Sequence, residues 1–328
     1  MSRLRYVAVR TVQTVFLLWL LLTGLFFFFR LMPGSFVDVM IFQGATQEAV
    51  AAFKEQWGLN DPLWVQYLRY VQNLLQLEAG MSVRYRVPVT EYVQMKIFNS
   101  FILIAPAITL AYVLGSIIGL LTGTRRGSLL EKYGLVPIVL AGSSPSFVLA
   151  VFAVVIFAGA LGWFPTAGML SQQVPQDAAW WEPYLTWDFV HHWFLPFGVI
   201  TLRYLLIPSM IMRTSVVEAL GQDFSYYQRV VGLSEWKQKA HIAKHASLPV
   251  ITLYPVSMTR AIGGLVLVEL VFNWPGIGAT LVSSVFARDI PVIQFVFFLV
   301  GAMVIIANFG IDLVYGIIDP RVSIEGGE

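Results

Sequence analysis

Residues 213–249 read RTSVVEALGQDFSYYQRVVGLSEWKQKAHIAKHASLP, with eight charged side chains and two histidines in 37 residues. The chain around them is 57 % hydrophobic and 12 % charged, with a mean hydropathy of +0.72. A soluble domain carries charge on about a quarter of its residues. The composition therefore predicts an integral membrane protein, in which this stretch is a polar island between apolar segments. Its place, not its charge alone, needs a reason.

Working outward from the island, runs of about 20 apolar residues fit a hydrocarbon core of about 30 Å. Six such runs stand at about 9–30, 98–123, 134–160, 193–213, 249–272 and 291–317. The first follows basic residues, as a signal peptide would. Its length and the lack of a small-x-small site predict a retained helix. The connecting segments are a long polar stretch (31–97), a short basic turn (124–133), an aromatic loop (161–192), the island (214–248) and a short loop (273–290). This divides the chain into a tail with a first span (1–30), an outer helical segment (31–97) and a core of five spans (98–328). The fold class is an all-α membrane bundle.

Orientation follows from Lys and Arg in the short flanks. Twelve of the 21 fall on the side holding both termini, the 124–133 turn and the island. The opposite short loops hold only Arg288, and six more cations are spread over the long outer segment. Both termini and the island are expected in the cytoplasm. Trp163, Trp180, Trp181, Trp187 and Trp193 crowd the outer loop as an interfacial belt would. In the outer segment, Val65, Leu68, Val71 and Leu75 fall near helical spacing, with Asp61 as N-cap before Pro62 at the first helical position. Two short helices on the outer membrane face are expected.

Several function classes find no support. The sequence has no cysteine, so it offers no thiolate metal or redox site. It also has no GxSxG, HExxH or GxxxxGK[ST] pattern. His241 and His245 have i, i+4 spacing, but without a third acidic ligand nearby they read as a solvated face. A secondary transporter would need ion-coupling acids and inverted repeats with broken helices. A scaffold would not need charges inside its spans.

Within the island, Phe224, Tyr227 and Val231 predict one apolar face of a helix. Gly232 ends it, Ser234 is placed to cap the next helix, and Leu248–Pro249 marks a kinked entry into the fifth span. A rigid cytoplasmic elbow in a chain with no nucleotide site suits an energy-coupling subunit driven by another protein.

Longer motifs now match a family. "GLVLVELVFNWPGIGATLVSSVFARDIPVIQ" (264–294), "NFGIDLVYGIIDPRV" (308–322), "LMPG" (31–34), "GLNDPLWVQYL" (58–68) and "LGWFPTAG" (161–168) resemble the permeases of binding-protein-dependent ABC importers. The branch is the dipeptide/oligopeptide one, and the resemblance spans nearly the whole chain. The island resembles that family's coupling loop. Three stretches depart from the pattern. Ser35–Phe36 replaces an acidic residue and proline, "LEAGMS" (77–82) replaces "GDLGxS", and "YYQRVVG" (226–232) replaces "RTARAKG". The tyrosines leave room for a divergent ATPase partner.

The resemblance implies the type I ABC importer permease fold in a prokaryotic inner membrane. It also implies a homologous second permease, two ATPase subunits that bind ATP and Mg, and an extracytoplasmic binding protein, with no cofactor on this chain and no nucleic acid. Solutes of the branch include dipeptides, oligopeptides, glutathione, nickel complexes and some sugars. Glu218, Asp223, Tyr226, Tyr227, Arg229 and Gly232 would meet the ATPase, against the alternative of a solvated face. A side chain at Gly232 would obstruct the turn, where a positive φ is expected.

Arg203 and Arg260 lie inside spans, where a charge costs about 2.5–3.5 kcal/mol on insertion scales. They would either line the pathway and attract a peptide carboxylate, or pair with Glu269 or Asp312. Glu269 would face the pathway or, preferably, pin the NWPGIG loop. Asp312, Asp319 and Arg321 suit a structural ion pair. The glycines of "GSIIG" (115–119) and "IGG" (262–264) predict close helix packing.

Overall fold

A computed structural model describes residues 3–31, 41, 46–56, 58–171 and 179–318. The LMPG stretch beyond Leu31, Ser35–Phe36, Asp319 and Arg321 lie outside them. The described chain is helical: α1 (Arg3–Leu31), α2 (Gln47–Gln56), α3 (Leu63–Leu75), α4 (Val89–Thr124), α5 (Leu129–Gly134), α6 (Val136–Ser143) and α7 (Ser146–Ala153) come first. Then follow α8 (Trp187–Tyr204), α9 (Leu206–Leu220), α10 (Asp223–Val230), α11 (Glu235–Val271), α12 (Ile277–Ala287) and α13 (Ile290–Ile318). Among the described residues, five helices are long and apolar enough to cross a membrane. They become six when the bent pair 131–143 and 146–160 counts as one span.

That pair corrects the third expected span. It turns by 107° at Ser144–Pro145, and α7 widens into π-helical turns over Val154–Ala160. Proline supplies no N–H and disfavours helix in the residue before it, so the break falls where the chemistry dictates. The fifth span departs the other way. α11 runs unbroken for 37 residues through Pro249 and Pro255, so the polar second half of the island and the span are one helix.

The chain forms two compact units, residues 1–99 with 276–328, and residues 100–275. In the first, α1 packs along α13, with Gly301 against Leu21. Phe26 sits between the rings of Tyr67 and Tyr70 of α3. The buried face of α3 is Gln66, Tyr70 and Leu74, whereas Leu68 and Leu75 are exposed. The expected stripe is thus rotated, because aromatic rings meeting Phe26 decide which side turns inward. Burial pushes the Tyr70 hydroxyl up to about 12. Asp61 caps nothing: Pro62 holds the cap position, and the Asp61 carboxylate pairs with Arg69 at 3.0 Å. Asp312 pairs with Arg10 at 3.3 Å, while its carbonyl accepts from Tyr6.

In the second unit, α4 packs against α9 through Gly115, Gly119 and Gly123, spaced one turn apart. A Cβ on Gly119 would stand 2.5 Å from the Ser209 carbonyl oxygen. The 262–264 glycines are less confined: Gly263 has open space around it, and a Cβ on Gly264 would stand 3.6 Å from the Tyr204 hydroxyl, an ordinary contact. Pro106 interrupts α4 and leaves the Ile102 carbonyl without its helical donor. Trp193 of α8 supplies one, its Nε1 donating at 3.0 Å. Trp193 is therefore a bundle residue, unlike the exposed Trp163, Trp180, Trp181 and Trp187.

Candidate functional site

The island resolves into the end of α9, the short helix α10 and the start of α11. Asp223 in the first turn of α10 and Arg229 in its last complement the helix dipole. The helix ends in a Schellman turn: Gly232 N–H donates to the Arg229 carbonyl at 3.1 Å, and Leu233 N–H to the Gln228 carbonyl at 3.1 Å. That closure needs a left-handed residue, and Gly232 has φ +74°. An added Cβ would meet nothing within 4 Å. The positive φ matches expectation, but the expected obstruction does not arise within this chain. Ser234 occupies the cap position of α11 without a side-chain cap bond.

α10 lies on the first turns of α11. The Phe224 ring contacts His245 at 4.8 Å between centroids, and Gln228 Nε2 bonds His241 Nδ1 at 3.2 Å. Ser225, Ile242 and Ala246 are buried beneath. Phe224 thus faces inward, while Tyr227 and Val231, expected on the same face, point out. The outer surface carries Tyr226, Tyr227, Val230, Val231 and Trp236, 63–79 % exposed. Glu218, Asp223 and Arg229 surround it, all exposed and, among the described residues, in no ion pair. These side chains form a concentrated apolar patch within an otherwise polar segment.

The island's root is braced. Arg213, at the end of the fourth expected span, donates to Glu131 through Nε at 2.9 Å and through NH2. The same carboxylate accepts from Gly127 N–H. This joins α9 to the 124–133 turn.

Arg203 is half-buried with its guanidinium 5.8 Å from the Tyr204 ring centroid, and Arg260 is exposed. The Tyr204 hydroxyl also approaches α11, 3.6 Å from where a Cβ on Gly264, one turn beyond Arg260, would stand. Neither arginine makes an ion pair among the described residues. Glu269 is fully buried instead, its Oε1 accepting from Ser100 Oγ at 2.5 Å. The Glu269 carbonyl accepts from Trp274 N–H at 2.8 Å, so backbone as well as side chain holds this corner.

One fastening was not read from the sequence. Asp289, fully buried, accepts from Ser82 Oγ at 2.5 Å and from the backbone N–H groups of Val83 and Arg84 at 3.2 Å. It ties the 82–84 turn to the start of α13. "LEAGMS" keeps the serine this requires. Leu77, however, sits at φ +60° where the family pattern has glycine, a conformation costing an L-residue about 1–2 kcal/mol.

Comparison with known proteins accords with this arrangement. Residues 111–324 match the family described as binding-protein-dependent transport system inner membrane component, and residues 3–87 match the N-terminal region of such components. A Brucella suis protein provisionally named a peptide permease is 33 % identical over 98 % of this chain and 99 % of its own length. The oligopeptide transport system permease protein AppB of Bacillus subtilis is 30 % identical over 97 % of this chain and 99 % of its own. The glutathione transport system permease protein GsiC of Salmonella typhimurium is 30 % identical with the same coverage. A multi-pass helical chain, matched from end to end, belongs to the inner membrane components of binding-protein-dependent transport systems: it is a non-catalytic permease subunit.

Proposed function

We propose that this chain forms half of the translocation pathway of an ATP-driven importer of di- or oligopeptides. End-to-end similarity to relatives named for peptide transport carries the reading. A second, homologous permease completes the pathway. Two cytoplasmic ATPase subunits bind ATP and Mg, and an extracytoplasmic binding protein delivers the solute. Both termini and residues 214–248 face the cytoplasm, in keeping with the distribution of Lys and Arg.

Glu218, Asp223, Tyr226, Tyr227 and Arg229 seat α10 in a cleft of the ATPase, and Gly232 sets the angle at which α11 leaves. Because α11 is continuous from Glu235 to Val271, motion of α10 passes to the span without an intervening loop. Arg203 and Arg260 line the pathway. Glu269, enclosed against Ser100, serves to fasten α4 to α11 rather than to touch solute.

The test is uptake by the complete importer in proteoliposomes with its binding protein. Labelled dipeptide is expected to accumulate only with ATP inside the compartment facing the ATPases. Uptake without ATP contradicts the importer reading. ATP-driven uptake of glutathione, a nickel complex or a sugar, with no peptide moved, contradicts the peptide reading alone.

A further inference from the structure

We propose that Arg203 and Arg260, with Tyr112, Tyr204 and Tyr254 around them, form a binding site for the free carboxylate of the transported solute. The inference rests on the peptide reading and adds which chemical group the bundle recognises and where.

The cluster lies wholly in the 100–275 unit, on α4, α8 and α11. Tyr112 is anchored, donating to the Leu253 carbonyl at 2.9 Å and bonding Ser257 Oγ at 2.6 Å. The Tyr254 ring stands edge-on to it, 5.2 Å away at 88°, with its hydroxyl 2.8 Å from Thr109 Oγ1. Arg203 lies over Tyr204, whose hydroxyl reaches α11 within 3.6 Å of where a Cβ on Gly264 would stand, one turn beyond Arg260. Arg260 and Thr109 are exposed, and Arg203 and Tyr204 are partly so. An incoming group can therefore reach the cations.

The candidate internal counter-charges are already engaged. Glu269 accepts from Ser100, and Asp312 pairs with Arg10. Two guanidinium groups in membrane-spanning helices, with no ion pair among the described residues, call for an anion or a water-filled path. The guanidinium fork matches a carboxylate with two parallel N–H···O bonds, and neighbouring phenol hydroxyls add neutral donors. A peptide always brings one such carboxylate at its C-terminus. A lipid phosphate or an acidic side chain of the second permease would be a permanent partner, indifferent to the cargo.

That difference sets the experiment. Uptake of a dipeptide and of its C-terminal amide is measured with the complete reconstituted importer, and the acid-to-amide ratio is compared between the wild type and Arg260→Gln. The binding protein is common to both, so its own preference cancels. The ratio is expected to fall at least about tenfold in the variant. Because this chain has no cysteine, Arg260→Cys gives it a single thiol. A methanethiosulfonate carrying an ammonium group should restore the ratio there, and one carrying a sulfonate should not. An unchanged ratio, or restoration by both reagents alike, overturns the proposal in favour of a lipid or partner counter-ion. Failure of the wild-type importer to move any peptide would instead show that the peptide reading itself is wrong.

Discussion

Replacing Tyr227 and Val231 with aspartate is expected to cut ATP-driven uptake at least about a hundredfold while the chain still inserts and assembles with the second permease. Both side chains are exposed, 64 % and 77 %, so little folded packing is lost. Surface substitutions of this kind usually change stability within about 0.5 kcal/mol. Interface anchors of large apolar or aromatic type cost about 2 kcal/mol or more each when lost, and two such losses exceed a hundredfold in affinity. Co-purification of the ATPase should fall in parallel with uptake. Gly232→Leu separates strain from contact. Its Cβ meets nothing in this chain, so the left-handed backbone alone costs about 1–2 kcal/mol. An uptake loss far beyond that stability loss marks a partner surface at the turn. Normal uptake in the double aspartate variant would remove α10 from the coupling mechanism.

Gly119→Ile should do the reverse and destroy the bundle rather than the coupling. Its Cβ would stand 2.5 Å from the Ser209 carbonyl oxygen, 2.6 Å from Met212 Cβ and 2.9 Å from Arg213 N. Two of these neighbours are backbone, so α4 and α9 must move apart along a contact that Gly115 and Gly123 also keep close. Overpacking costs about 1–3 kcal/mol and occasionally more, and contacts this short against backbone place Gly119→Ile at the upper end. The measurement is thermal unfolding of the detergent-purified complex, where a lowered Tm and poor recovery are expected. Gly263→Ile, with nothing within 4 Å, is the matched control and should leave Tm nearly unchanged. Equal behaviour of the two variants would show that helix approach at Gly119 does not limit stability.

Composition and helical period were enough to locate the main elements. Six apolar runs correspond to five long helices and one bent pair, and the charged island to a helix–turn–helix closed at Gly232. Where the sequence misled, the deciding atoms were distant in the chain. The inward face of α3 depends on Phe26, about forty residues earlier, and Trp193 left the interfacial belt to serve a carbonyl freed by Pro106. A proline inside a spanning run does announce an orphan carbonyl, so part of that arrangement was legible. The Asp289–Ser82 fastening was not, since 207 positions separate its partners. Arg203 and Arg260 stood out by sequence alone because charge is costly in lipid. Tyr204, which lies under Arg203 and reaches α11 one turn from Arg260, emerged only from the packing of α8 beside α4 and α11.

Coupling of this kind requires α10 to lie inside the cell, covered by a motor subunit. Tyr227→Cys, the only thiol this chain would then hold, can be exposed to a membrane-impermeant maleimide in vesicles of either orientation. The expected result is labelling only in inside-out vesicles stripped of the ATPases, and protection when the ATPases are restored. Labelling from the extracytoplasmic side, or labelling that bound ATPase leaves untouched, would contradict it.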